Sequence, residues 1–253
     1  MKLLSLRSIR ESGRQKLFII PCLFTFANAF LGFCSVIQAL EGNFLAAAYL
    51  IVLAVLMDFL DGRLARALAS SSSFGMELDS LSDAISFCFA PAVLLYSWKL
   101  NQAGPIGIVV LGVYLCAGLL RLAKFNVISW EQGTVDFFVG LPTTSAAFFL
   151  IQLVLYENWI QGSFFAPALG NASLLTLVAL FAFLMISPLR FPTFKRVAIF
   201  TKPLYAILFV FSFLIFTFLL FKGVPVFLLG LLAYVCSGII ISSADLFKSI
   251  LSR

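Results

Sequence analysis

Four aspartates, Asp58, Asp61, Asp79 and Asp83, fall close together in a chain that is otherwise strongly apolar. They belong to one spaced run, Asp58-x2-Asp61-Gly62-x2-Ala65-Arg66-x8-Gly75-x3-Asp79-x3-Asp83. Asp58 and Asp61 are three apart and share a face if the segment is helical. Asp79 and Asp83 are four apart and share a face of the next helix. A loop of roughly 15 residues between the two helices brings these faces together. The product is a four-carboxylate pocket with the hard-oxygen character of a Mg²⁺ or Mn²⁺ site. Carboxylates at membrane depth are costly and are rarely there without a partner or a task. One or two divalent cations would offset the mutual repulsion of four such groups.

The other positions of the run suit a phosphorylated ligand. Gly62, Ala65 and Gly75 are small and let a bulky group approach the backbone. Arg66 offers a planar fork for phosphate oxygens. Glu77 is a fifth acid nearby, outside the pattern, and reads as a supporting or solvated group. The bland account of the acids is salt bridging to Arg63, Arg66 or Arg121 inside a helix bundle. That account suits any one aspartate better than it suits the whole spaced set.

The elements that must carry this pocket are membrane helices. The chain has 253 residues, 62% of them apolar and only 11% charged, with a mean hydropathy of +1.09. Soluble domains carry about 25% charged residues, so the composition is that of an integral membrane protein. Hydropathy places about eight spans, near 18–40, 44–60, 78–98, 105–124, 137–156, 172–188, 202–221 and 224–244. The expected fold is therefore all-α and polytopic. Residues 1–17 form a basic juxtamembrane segment, 18–200 a membrane core, and 201–253 additional C-terminal helices. The apolar run after residue 16 is too long for a cleavable signal and reads as the first span.

Charge sets the expected orientation. With the N-terminus inside, fifteen of the 17 lysines and arginines fall on the cytoplasmic side, and only Lys99 and Lys222 fall outside. Both termini and the aspartate pocket are then cytoplasmic. Leu3, Leu4, Leu6 and Ile9 lie among five basic residues in the first sixteen. That segment is either an amphipathic helix on anionic lipid or a basic tail that only sets topology.

Some chemistries are excluded. The chain has no histidine, so it has no His base, no His-ligated zinc and no His-ligated haem. Its five cysteines form no CxxC pair and read as buried or lipid-facing residues. Nothing in the sequence points to nucleic acid. A cation transporter is the competing reading, because membrane carboxylates serve ion pathways too. That reading expects acids spread through the membrane depth and broken helices at the midplane. Here the acids cluster at one edge beside an arginine and small residues.

The run resembles the signature of the CDP-alcohol phosphotransferases and matches it at every fixed position. The resemblance implies a six-helix membrane core, extended here by two helices, and a homodimer. It implies transfer of a phosphatidyl or related group from a CDP-linked donor to an alcohol, with release of CMP. Carried over by position, Asp58, Asp61, Asp79 and Asp83 would hold two divalent ions, and Asp83 would also be the general base. Gly62, Ala65, Arg66 and Gly75 would contact the CDP portion.

Further stretches resemble the phosphatidylserine synthase branch of that family. They are Pro21-Cys22-Leu23-Phe24-Thr25-Phe26-Ala27-Asn28, Glu77-Leu78-Asp79-Ser80-Leu81-Ser82-Asp83, Arg121-Leu122-Ala123-Lys124-Phe125-Asn126-Val127, Gly140-Leu141-Pro142 and Ser187-Pro188-Leu189-Arg190-Phe191-Pro192-Thr193-Phe194-Lys195. The branch carries arginine where this chain has Lys124, and it lacks Pro188. The resemblance implies CDP-diacylglycerol as donor and L-serine as acceptor. Arg121, Lys124 and Arg190 would then clamp the serine carboxylate, with Asn126 and Ser187 hydrogen-bonding its polar groups. Thr25 and Asn28 share a face of the first span and serve either as glue between helices or as contacts to cytidine and ribose. Glycerol-3-phosphate, inositol phosphate and choline remain the alternative acceptors.

Overall fold

The computed structural model describes residues 2–67, 73–132, 137–160 and 170–192. It is built from seven α-helices and one short ribbon among these residues. They are α1 (Lys2–Leu40), α2 (Phe44–Ala67), α3 (Ser73–Asp83), α4 (Ala90–Trp98), α5 (Pro105–Gln132), α6 (Thr143–Ile160) and α7 (Asn171–Ile186). A π-helical turn, Ala84–Phe89, joins α3 to α4, so that Ser73–Trp98 is one rod. Four helical stretches are long and apolar enough to cross a membrane: Pro21–Leu40, Phe44–Ala65, Ser73–Trp98 and Pro105–Ile128. Thr143–Glu157 and Asn171–Ile186 are shorter apolar helices. The protein is all-α in architecture and integral to the membrane. The expected spans at 202–221 and 224–244 lie outside the described residues.

The buried face of α1 explains how the bundle closes. Pro21, Thr25, Asn28, Gly32, Ser35 and Ala39 are buried and follow one another at alternating intervals of four and three. That 3.5-residue period keeps one seam against a neighbouring helix. Every residue in the seam is small or polar. Between membrane helices, water exclusion supplies no drive, so close backbone approach and interhelical hydrogen bonds hold the contact. α2 answers with buried Ala47, Ala48, Ile51 and Ala54, and Ser35 donates to the Ala47 carbonyl at 2.9 Å. The opposite face of α1 exposes Leu23, Phe26, Phe30, Phe33 and Leu40, which suit lipid.

A three-residue turn links α1 to α2. Gly42 adopts φ +81°, and Asn43 N–H reaches back to the Gln38 carbonyl at 2.9 Å. This left-handed glycine stop satisfies carbonyls that the end of α1 would leave bare. At the same end of the bundle the Lys99 ammonium pairs with Glu157, joining the end of α4 to α6.

Three features depart from the expected elements. The basic N-terminal segment is helical from Lys2 and continuous with the first span through Pro21. The third helix begins at Ser73 rather than near 78, so at most five residues separate it from α2 instead of roughly fifteen. Hydropathy misses this start because Ser73, Gly75, Glu77 and Asp79 alternate with the apolar Phe74, Met76 and Leu78. Finally, residues 137–139 are not the start of a span. Phe137–Val139 pairs antiparallel with Arg190–Pro192, with Val139 opposite Arg190. The helix of the fifth expected span, α6, starts only at Thr143, after Gly140 (φ +81°), Leu141 and Pro142.

The π turn has a local cause. Pro91 has no N–H, so the carbonyl four residues earlier, Phe87, loses its helical donor. The Tyr114 hydroxyl of α5 donates to that carbonyl instead, at 3.0 Å. Ala90 N–H bonds Ile85, five residues back.

Candidate active site

The last turns of α2 carry Asp58 and Asp61, and the second half of α3 carries Asp79 and Asp83, as their spacing demands. Asp61 and Asp83 are buried, and Asp58 and Asp79 are half-buried. One carboxylate oxygen from each of Asp58, Asp61 and Asp79 lies within 4.8 Å of the other two. Asp79 Oδ1 is fully enclosed and has no hydrogen-bond partner among the described residues. An enclosed carboxylate oxygen without a donor is costly. A divalent cation relieves that cost, and three converging carboxylates are the hard-oxygen donors it takes. The residues therefore fit a divalent metal. Asp83 stands beside this group, facing the charges of Asp58, Asp79 and Asp61 and the opposite charge of Arg121.

Helix α1 backs the acids. Thr25 Oγ1 donates to Asp61 Oδ2 at 2.9 Å, and Asn28 Nδ2 donates to Asp83 Oδ1 at 3.2 Å. The rod answers in kind: Ser82 Oγ donates to the Thr25 carbonyl and Ser86 Oγ to the Asn28 carbonyl, each at 2.8 Å. Ser82 and Ser86 escaped the sequence reading. Their spacing from the aspartates on one helical face was the available signal, but serine is too common in membrane helices to single out.

The remaining candidates divide. Arg121 on α5 donates from Nη1 to the Thr143 hydroxyl at the start of α6, 3.2 Å away, and its guanidinium lies 5.6 Å from the Phe125 ring centroid. Asn126 is engaged at both ends by α3: it accepts from Ser80 Oγ at 3.0 Å and donates to Glu77 Oε2 at 3.3 Å. Ser187 is buried, and its hydroxyl turns back to the Leu184 carbonyl at 2.8 Å. Lys124 is exposed. Gly62, Ala65 and Gly75 are half-buried beside the aspartates on α2 and α3. Of Arg66 and Arg190 the structure describes the main chain; Arg190 sits in the ribbon opposite Val139. That ribbon is tied down by Gly140 N–H to the Leu189 carbonyl at 2.8 Å and Leu141 N–H to the Leu184 carbonyl at 3.0 Å. The end of α7 is thereby held next to the start of α6, at the acid end of the bundle.

Residues 18–184 match the family model described as CDP-alcohol phosphatidyltransferase. The chain belongs to the CDP-alcohol phosphatidyltransferase family. Among curated members it is 35% identical over 181 residues to a Helicobacter pylori (strain ATCC 700392 / 26695) protein named CDP-diacylglycerol–serine O-phosphatidyltransferase. That match covers 72% of this chain and 75% of the relative. A Bacillus subtilis (strain 168) protein of the same name is 35% identical over 177 residues, 70% of this chain and 92% of its own. An archaetidylserine synthase of Methanothermobacter thermautotrophicus is 36% identical over 175 residues, 68% of this chain and 69% of its own. The family segment contains every aspartate of the site and ends within α7.

Proposed function

We propose that this chain is a membrane enzyme that transfers the phosphatidyl group of CDP-diacylglycerol to the hydroxyl of L-serine, giving phosphatidylserine and CMP. The observation that carries the reading is the convergence of Asp58, Asp61 and Asp79, with the orphaned Asp79 oxygen, inside the family-matched segment. The names of the bacterial relatives support serine as acceptor, and the archaeal relative's name supports the same headgroup.

Each residue has a part in this proposal. Asp58, Asp61, Asp79 and Asp83 hold Mg²⁺ or Mn²⁺, two ions in all. When bound, the ions supply positive charge to the pyrophosphate and to the departing CMP. Gly62, Ala65 and Gly75 leave room for the CDP portion, and Arg66 pairs with its phosphate oxygens. Asp83 takes the proton from the serine hydroxyl as that oxygen bonds to the β-phosphorus and the bond to CMP breaks. Arg121 and Arg190, with Lys124, present positive charge to the serine carboxylate. Asn126 and Ser187 shape the same wall through the hydrogen bonds they make to α3 and α7. The basic excess at the acid end supports a cytoplasmic position for the site and both termini. The basic N-terminal segment contacts anionic lipid, two further helices complete eight spans, and the enzyme is a homodimer.

The test is an acceptor screen. Purified protein, CDP-diacylglycerol and Mg²⁺ or Mn²⁺ are incubated separately with serine, glycerol-3-phosphate, inositol, inositol phosphate and choline, and CMP release is followed. Stimulation by serine alone is expected. Stimulation by a different alcohol keeps the phosphotransfer and overturns the acceptor. No CMP release with any acceptor overturns the enzyme reading in favour of a transporter.

A further inference from the structure

We infer that Asn28 is a positioning residue for Asp83 rather than a contact for the nucleotide; the inference rests on Asp83 being the base of the proposed transfer. Asn28 has 0% of its surface exposed, so no ligand reaches it in this structure. Its amide nitrogen is committed to Asp83 Oδ1 at 3.2 Å. The carboxylate is an acceptor and so fixes which end of the amide faces it, leaving Asn28 Oδ1 enclosed and without a partner.

The main chain of Asn28 is fixed as well. Ser86, three residues beyond Asp83 on the rod, donates to the Asn28 carbonyl at 2.8 Å. Gly32, one turn further along α1, has no β-carbon to hold Ser86 away. Asp83 and its holder are therefore bound together twice, once through side chains and once through Ser86. One carboxylate oxygen of Asp83 is occupied by Asn28, and that bond sets the orientation of the other. A base whose second oxygen is oriented in this way needs no rearrangement before it receives a proton.

The experiment is steady-state kinetics of CMP release by full-length Asn28→Ala and Asn28→Asp in detergent, with CDP-diacylglycerol and serine varied in turn. Asn28→Asp keeps the shape and places an oxygen where the N–H donated. The expected result is a kcat lower by about 10- to 100-fold in both variants, the scale typical of lost outer-layer support. The KM for CDP-diacylglycerol stays within about twofold, as for an interaction made only in the transition state. A raised KM for the CDP-lipid with kcat preserved overturns the inference and makes Asn28 a nucleotide contact. An unchanged kcat also overturns it. Should both variants fail to yield a monodisperse, cooperatively melting protein, Ser86→Ala decides. A lower kcat with unchanged KM for the CDP-lipid supports positioning, and an unchanged kcat overturns it. Wild-type protein is measured first. If it releases no CMP, the functional reading fails and the inference falls with it; if it releases CMP and the variants keep its kcat, the inference alone falls.

Discussion

Gly32 of α1 and Ser86 of the π turn meet so closely that a β-carbon added at position 32 would lie 2.8 Å from the Ser86 Cα. That distance involves main-chain atoms, so no change of rotamer relieves it. Gly32→Ala is expected to destabilise the protein by about 1–3 kcal/mol, the usual range for overpacking. Thermal melting in detergent measures it, and a melting temperature equal to wild type would show that the two helices separate freely.

Metal dependence follows from the converging carboxylates. Chelation is expected to abolish CMP release, and added Mg²⁺ or Mn²⁺ to restore it. Asp79→Asn should raise the activating metal concentration by about tenfold or more. Thr25→Val, which removes the hydroxyl that donates to Asp61 Oδ2, should raise it by about 10- to 100-fold while keeping the side-chain shape. Full activity of Asp79→Asn at wild-type metal concentration would remove Asp79 from the ligand set.

Asp83→Asn removes the proton acceptor and keeps the volume. Turnover should fall by at least about 10²- to 10⁴-fold, the range for a lost general base. Equilibrium binding of CDP-diacylglycerol to the variant should remain near that of wild type. Wild-type turnover in this variant would take the base role away from Asp83.

Arg121 is held by Thr143 and lies against Phe125, so its guanidinium is placed before any acceptor arrives. Arg121→Ala should raise the serine KM by about 10- to 100-fold, the scale of one charge-assisted bond. Arg121→Lys should recover little of it, because an ammonium lacks the fork. Arg190→Ala should likewise raise the serine KM far more than that of the CDP-lipid. Equal changes in both constants would mark either arginine as structural.

Gly140 sits at φ +81° with the Met185 main chain against it. Gly140→Ala should therefore cost about 1–2 kcal/mol from the left-handed backbone alone, before any steric cost. The ribbon of Phe137–Val139 with Arg190–Pro192 should loosen, read as faster amide exchange at position 140 and at Leu141, whose N–H groups bond the Leu189 and Leu184 carbonyls.

The acid pocket was legible because its information is local: residues three and four apart on a helix share a face whatever the tertiary fold. The bundle was legible because apolar length is local too. What surrounds the acids was harder to read. Asn28 and Thr25 were visible as polar residues on one face of the first span, but whether that face meets a ligand or other side chains depends on which helix packs there. The Val139–Arg190 pairing spans fifty residues of sequence, and its apolar Phe137-Phe138-Val139 reads as the start of a span. The start of α3 was obscured because Ser73, Gly75, Glu77 and Asp79 interrupt its apolar residues and lower the local hydropathy. The π turn leaves only a faint trace, a proline at position 91 with a tyrosine on another helix to serve the abandoned carbonyl.

The π turn also divides the rod into two halves with different phasing. Ser82 and Asp83 upstream, and Ser86 within the turn, meet the polar seam of α1; downstream, Ala90, Leu94 and Leu95 are buried in an apolar interior. The turn holds one more residue per hydrogen-bonded loop than an α-helix does. Rewinding the same six residues as regular α-helix would swing every downstream side chain by about 100° relative to the aspartates. The winding of this stretch is therefore the constrained variable. A substitution that lets the turn close up as α-helix would uncouple the chemistry from the scaffold that carries it.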